Sequence, residues 1–267
     1  MRFVTTIRKL VLTLMLGLGL AGVALAQVPE ELPFAKKLKL AQVGDEEAQM
    51  AVGLAYENGV DTKPDKAEAA KWYRKAALAG NLDAQFRLAG LVAKGSKGLT
   101  RDMAVAVKLY QTAADKGHAA SQNALGQLHQ AGNGVAKDDK LAFEWYEKAA
   151  AQRLAVAENN LGMMYLNGTG TARNLAQAFQ LFERAAEQND GWGLNNLGGM
   201  YEMGWGVARS PLKARDYYAR AAALGIESAS ANLARLGDAA TGSVKPVPPP
   251  PSAVATPPTP VSAPPGQ

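Results

Sequence analysis

Few residues in this chain could do chemistry, and each stands where its chemistry lacks a second component. Ser210-Pro211-Leu212-Lys213 spells S-x-x-K, which sets a serine nucleophile one helical turn from a lysine. That chemistry also needs a K-T-G strand, and no K-T-G follows. Gly17-Leu18-Gly19-Leu20-Ala21-Gly22 has the glycine spacing of a dinucleotide-binding turn, but no strand precedes it. The two histidines, His118 and His129, have neither cysteine nor carboxylate at metal-ligand spacing. Asp45-Glu46-Glu47 could suggest a cation, yet adjacent acids suit the positive end of a helix dipole. No nucleophile, base and orienting acid can be assembled. The expectation is no catalytic residue, no cofactor, no metal and no enzymatic activity.

The ends of the chain bear on where such a protein works. Met1 to Lys9 carries Arg2, Arg8 and Lys9 and no acid, Leu10 to Leu25 is almost wholly apolar, and Ala24-Leu25-Ala26 precedes Gln27. This is the pattern of a secretory signal (residues 1–26) cleaved after Ala26, and the apolar run falls short of the ~20 residues a spanning helix needs. The expected location is the periplasm, or the exterior. With no cysteine there is neither a lipid-attachment thiol nor a disulfide. Three of the 29 basic residues lie in the leader, and the rest nearly balance 24 acids. Such a balance excludes the basic stripe of a nucleic-acid binder. At the other end, residues 241–267 are rich in proline, and from Ser243 the only charge is Lys245. So proline-dense a stretch favours polyproline II, as an extended spacer or a docking strand for an aromatic groove.

What could position a site is a period. "KWYRKAALAG" from Lys71 returns as "EWYEKAAAQR" from Glu144. Paired alanines recur at Ala76, Ala113, Ala149, Ala185 and Ala221, each a few residues after a large residue: Tyr73, Tyr110, Tyr146, Phe182 and Tyr218. Another ladder runs Val52-Gly53, Leu88-Ala89, Leu125-Gly126, Leu161-Gly162, Leu197-Gly198 and Leu233-Ala234. Each unit parses as two helices. The first keeps small and apolar residues on one face and stops at Gly59, Gly95, Gly132, Gly168 or Gly204. The second starts after Asp65, Asp102, Asp138, Asn174 or Ser210, all with a side-chain oxygen able to cap it. Glu68 is placed for a capping box with Asp65, and Pro211 stands at a first helical position. Small residues such as Gly162 and Ala185 predict close helix approach, and stacking must bury what no unit buries alone.

The residues now assembled resemble a family. "AENNLGMMYLNGTGTARNLAQAFQLFERAAEQN" (Ala157 to Asn189) is similar to a Sel1-like repeat, the bacterial relative of the tetratricopeptide repeat, and Ala120 to Ala150 resembles it more closely still. The likeness spans Gly44 to Leu236, as units 44–79, 80–116, 117–152, 153–188, 189–224 and a partial 225–236 within a solenoid of 44–240. Unit two departs most: Val92 replaces the usual tyrosine and its loop is one residue longer. Residues 27–43 are expected to form an N-terminal cap. The resemblance implies an all-α, right-handed α/α solenoid of helical hairpins whose first helices line a concave groove that binds a protein or peptide. An interaction scaffold of the bacterial envelope is the function implied. The alternative is an envelope hydrolase acting on peptidoglycan or β-lactams, an activity claimed for some relatives.

The groove draws attention to one column. Asn160, Asn196 and Asn232 form a ladder with Asn159 and Asn195 beside it, absent from earlier units, where Ala51, Arg87 and Ala124 stand. Asparagine donates and accepts at once, which suits an extended peptide and equally suits a bond to a neighbouring helix. Trp192 stands where other units carry Glu47, Asp83, Ala120, Val156 and Ser228, as an interface anchor or as local packing. These six residues (Asn159, Asn160, Trp192, Asn195, Asn196, Asn232) are the candidate partner site. Oligomeric state and partner identity are not written in the sequence.

Overall fold

A computed structural model describes residues 32–239. The leader and the proline-rich stretch lie outside the described residues, as does the Gln27 cleavage point. The described chain is a run of helices: α1 (Phe34–Gln42), α2 (Glu46–Asn58), α3 (Lys66–Ala79), α4 (Leu82–Lys94), α5 (Met103–Asp115), α6 (Ala119–Ala131), α7 (Asp139–Ala151), α8 (Ala155–Asn167), α9 (Leu175–Glu187), α10 (Gly191–Met203), α11 (Pro211–Ala223) and α12 (Glu227–Ala239). Each packs against its neighbours in sequence, which is the topology of an all-α solenoid. The even-numbered helices from α2 to α12 are the first helices of six successive units, and the odd-numbered helices from α3 to α11 are the second helices.

Local chemistry sets the boundaries. The side chains of Asp65, Asp102, Asp138, Asn174 and Ser210 accept from backbone N–H groups of the first turn of their second helices. The capping box expected of Glu68 does not form. Glu68 turns to Lys71 at 2.5 Å, because the Asp65 N–H it would have taken already donates to the Tyr56 carbonyl at 2.8 Å. At the first-helix ends, Gly59, Gly132, Gly168 and Gly204 take the left-handed conformation with φ of 67 to 73°. Gly95 shares that φ but has ψ 167°. There the longer loop of unit two folds on itself through a bridge between Ser96 and Leu99.

In four of the five complete units an aromatic ring lies against a glycine, and in unit two Ala89 and Tyr110 share the cluster instead. A Cβ on Gly53, Gly126, Gly162 or Gly198 would come within 2.5 to 2.8 Å of the ring of Tyr73, Tyr146, Phe182 or Tyr218. The buried phenols then need a partner, and Tyr73, Tyr146 and Tyr218 donate to Glu57, Gln130 and Glu202 at 2.5, 3.0 and 2.9 Å. Burial first, and then the adjacent carboxylates, push the Tyr73 and Tyr218 phenols far up, so both stay donors. Where the ring lacks a hydroxyl, the opposite position is apolar too: Phe182 goes with Leu166.

Between units, partners also change together. Tyr56, Tyr165 and Tyr201 meet Phe34, Phe143 and Phe179 edge to face at 5.3 to 5.6 Å. In unit two, Val92 takes the tyrosine position and shares its cluster with Ala70, which stands at the phenylalanine position. A loop glycine then closes on the unit before. Gly170 and Gly206, at φ 68 and 69°, sit where a Cβ would be 2.1 Å from the Asp139 carbonyl and 2.5 Å from the Leu175 carbonyl. Asp61 holds the same place in unit one, left-handed at φ 57°, where no complete second helix precedes it.

Candidate functional site

The first helices form the inner layer of the stack. Among like helices, α8 and α10 pack against each other, and side chains bridge one first helix to the next; this is the layer that the family resemblance makes concave. Its charge is distinctive. α6, α8 and α10 contain no lysine, arginine or aspartate, and their carboxylates are Glu158 and Glu202 alone. Both are buried and paired. Glu158, fully buried, has Arg184 Nη2 at 2.5 Å, accepts from Gln188 Nε2 at 2.7 Å and has Arg153 Nε at 3.8 Å. Glu202 accepts from Arg235 Nη2 at 2.7 Å and from Tyr218. Burial works against the Glu202 charge, but the Arg235 and Tyr218 hydrogen bonds outweigh it and hold the carboxyl below its ordinary range. Glu202 is therefore not available as a proton donor.

The asparagines run across this layer as rungs. Asn160 donates to Asn123 at 2.9 Å, Asn196 to Asn159 at 2.8 Å, and Asn232 to Asn195 at 3.2 Å. Each rung joins two successive units. The ladder therefore begins at the fourth unit because its acceptors begin at the third: the residues matching Asn123 in earlier units are Met50 and Phe86. Asn123 was not singled out by the sequence, and the uneven distribution that set the ladder apart has a source in the stack itself. Each rung uses one of the two amide hydrogens of its donor. Asn160, Asn196 and Asn232 are only half-buried, so the second remains at the groove surface.

Trp192 stands apart from the rungs, at the N-terminal turn of α10, with 47% of its surface exposed. On the same face of α10, Asn196, Gly199 and Met203 follow at helical spacing. Trp205, in the next loop, is instead half-buried against the core of the last units.

The remaining candidates for chemistry have structural roles. His118 caps α6, its Nδ1 accepting from the Ser121 N–H at 3.3 Å, while Nε2 lies 3.1 Å from Asp83. His129 is half-buried in the tyrosine position. Among the described residues no three histidine, aspartate or glutamate side chains converge as a metal site, and no helix is long and apolar enough to cross a membrane. Ser210 caps α11, accepting from the Lys213 N–H at 3.4 Å. That bond is long, so Ser210→Ala should lower stability by only about 0.5–1 kcal/mol, measured as a small shift of the urea midpoint. A serine nucleophile would instead show itself as a lost acylation or hydrolysis signal.

A repeating helical hairpin with glycine-fitted rings, stacked so that first helices line one concave face, defines an α-solenoid scaffold. The Sel1 repeat model matches residues 46–81, 82–118, 119–154, 155–190 and 193–226, and the chain belongs to the Sel1 repeat family. Its units begin two to four residues later than the sequence pattern placed them. Among solved structures, the chain is similar to c5321, a protective antigen of uropathogenic Escherichia coli with an SLR fold, at 34% identity and a TM-score of 0.67. The match covers 79% of this chain and 45% of the antigen, so this chain spans less than half of that protein. It is also similar to a Sel1 repeat protein from Oxalobacter formigenes, at 26% identity and a TM-score of 0.68, over 81% of this chain and 92% of that one. No curated protein matched the sequence. Sel1 repeats generally mediate protein–protein interaction, on a fold that is generally a non-catalytic scaffold.

Proposed function

We propose that this chain is a non-catalytic scaffold of the bacterial cell envelope that holds a protein or peptide along its inner layer. The observation that carries the reading is the surface of α8, α10 and α12. It presents a spaced row of half-buried amides, each with one donor unused, with the exposed Trp192 at one edge. An indole that the fold leaves half in water is the side-chain type that anchors interfaces. Asn159 and Asn195 support the row from beneath as acceptors. The envelope location rests on the basic, apolar and small-residue pattern of the first 26 residues, and intact mass of exported protein beginning at Gln27 is its test.

The partner site is tested with two variants against a partner isolated from the envelope fraction. Trp192→Ala should weaken binding by about 2 kcal/mol with the melting temperature nearly unchanged. Asn196→Ala removes a donor from the groove and a rung from the stack, so it should weaken binding by about 1–3 kcal/mol and also lower the melting temperature. Undiminished affinity in Trp192→Ala would remove Trp192 from the site, and undiminished affinity in both would remove the groove.

A further inference from the structure

We propose that Asn133 is a site of spontaneous covalent change, where the side-chain amide is lost and the junction between the second and third units loosens. The proposal is independent of the groove reading above.

Three asparagines in the chain are followed by glycine: Asn58-Gly59, Asn133-Gly134 and Asn167-Gly168. All three asparagines are exposed. In such a pair the glycine nitrogen can attack the asparagine Cγ, because glycine has no side chain to obstruct the approach. The N–Cγ bond forms, the Cγ–Nδ2 bond breaks, and the glycine N–H proton leaves with the amide nitrogen as ammonia. Water then opens the cyclic imide at either carbonyl. One opening gives aspartate. The other gives isoaspartate, in which the main chain runs through the former side chain.

What separates the three pairs is the glycine nitrogen. Gly59 and Gly168 close their helices, and their N–H groups donate to the Ala55 carbonyl at 2.9 Å and to the Met164 carbonyl. Attack there requires the last helical turn to open first. Gly134 lies beyond the closing glycine of its helix, Gly132, and its N–H donates to no acceptor among the described residues. The nucleophile at Gly134 is therefore available without unfolding.

The loop around it is also less tightly held than its later counterparts. Gly170 and Gly206 sit on backbone, where a Cβ would be 2.1 and 2.5 Å from a carbonyl oxygen. At Gly134 the nearest atoms to a Cβ belong to side chains, at 3.1 Å for Met103 and 3.4 Å for Val107. Side chains yield where backbone does not, so this loop has the freedom to bring Cγ onto the nitrogen.

The same contact carries the consequence. Met103 and Val107 belong to the first turns of α5, so Gly134 is where the loop of the third unit rests on the second. Isoaspartate inserts an extra carbon into the backbone immediately before that contact, and either product adds a negative charge there.

The experiment ages the full folded chain in mildly alkaline buffer, beside a sample unfolded in urea. Peptide mass spectrometry reads the amide-to-acid mass gain at the three asparagines. In the folded sample Asn133 should convert about tenfold faster than Asn58 or Asn167, since only those two wait on a local opening. In urea the three rates should converge. Hydrogen exchange of the aged folded chain should quicken at the start of α5. Asn133→Gln, whose longer side chain closes a ring far more slowly, should show neither the mass gain at that position nor the quickening. Equal rates at the three sites in the folded chain, or conversion of Asn133 confined to urea, overturns the site. Conversion of Asn133 with exchange at α5 unchanged overturns its consequence for the stack.

Discussion

Arg184→Ala should lower the stability of the fold by about 3 kcal/mol, because it strips the closest counter-charge from a carboxylate that has no access to water. Glu158 is fully buried, and Arg184 lies 2.5 Å from it while also donating to the Ala150 carbonyl at 3.0 Å. The reason for this double duty lies in the other units. At the position of Glu158 the first and third units carry Gln49 and Gln122, whose amides donate to carbonyls in the last turn of the preceding helix, Ala41 and Ala114, at 3.3 and 3.1 Å. Glutamate cannot donate, so in the fourth unit Arg184 bonds the carbonyl and sets its charge against the acid. The loss falls at the low end of its class because Gln188 and Arg153 still face Glu158. Adding Glu158→Gln to the variant should recover most of the loss, since glutamine restores the bond made in the other units. Urea denaturation of the single and double variants measures this. A double variant no more stable than Arg184→Ala would show that the pair is not coupled as described.

Gly170→Ala should be comparably damaging for a different reason. Its methyl would lie 2.1 Å from the Asp139 carbonyl oxygen and 2.7 Å from the carbonyl carbon. Backbone at a capped helix start cannot step aside as a side chain can. The left-handed φ of 68° adds strain of its own, and the two together amount to about 3–4 kcal/mol. The break should be local. Hydrogen exchange should quicken first at the start of α7 and in the loop after α8, since that is where the third and fourth units meet. Gly117→Ala is the control. Gly117 is left-handed too, at φ 89°, but a Cβ there would meet nothing within 4 Å, so its loss should stay near 1 kcal/mol. If both variants melt alike, the contact is not what demands glycine.

Much of this architecture is legible in the sequence, for physical reasons that can be named. A helix start favours a side-chain acceptor for its free N–H groups, so Asp102, Asp138 and Asn174 announce their helices unaided. A ring pressed this close to a backbone leaves little room for a Cβ, so Gly126 and Gly162 recur in phase with Tyr146 and Phe182. What could not be read is which column faces which across a unit boundary. The partner of Asn196 is Asn159, not the Asn160 one repeat earlier, because successive units are offset by one position at the interface. Without that offset the asparagines look like a feature of one end of the chain. With it, Phe86 and Ala124, which share a cluster, stand in the same pairing written in other chemistry, while Arg87 turns to Glu57. The exchange of glutamine for the Glu158–Arg184 pair was also recoverable in principle, since Gln49, Gln85 and Gln122 precede Glu158 in one column. Glu68 shows the opposite failure: a correct local signal lost to a backbone bond from a distant residue.

The paired columns also bear on how such a chain can grow or shrink over generations. A unit is not a free-standing word that can be copied anywhere, since each carries half of two agreements. Excision of residues 155–190 would bring Asn196 opposite Asn123 and Gly206 opposite Asp139, so both agreements would survive the cut. Excision of residues 82–118 would bring Ala124 opposite Met50 and His129 opposite Ala70, and neither reproduces an existing pairing. Heritable gain and loss of units is thus easier in the half of the chain where the rungs are alike. The first units, with their one-off pairings, are held to their order.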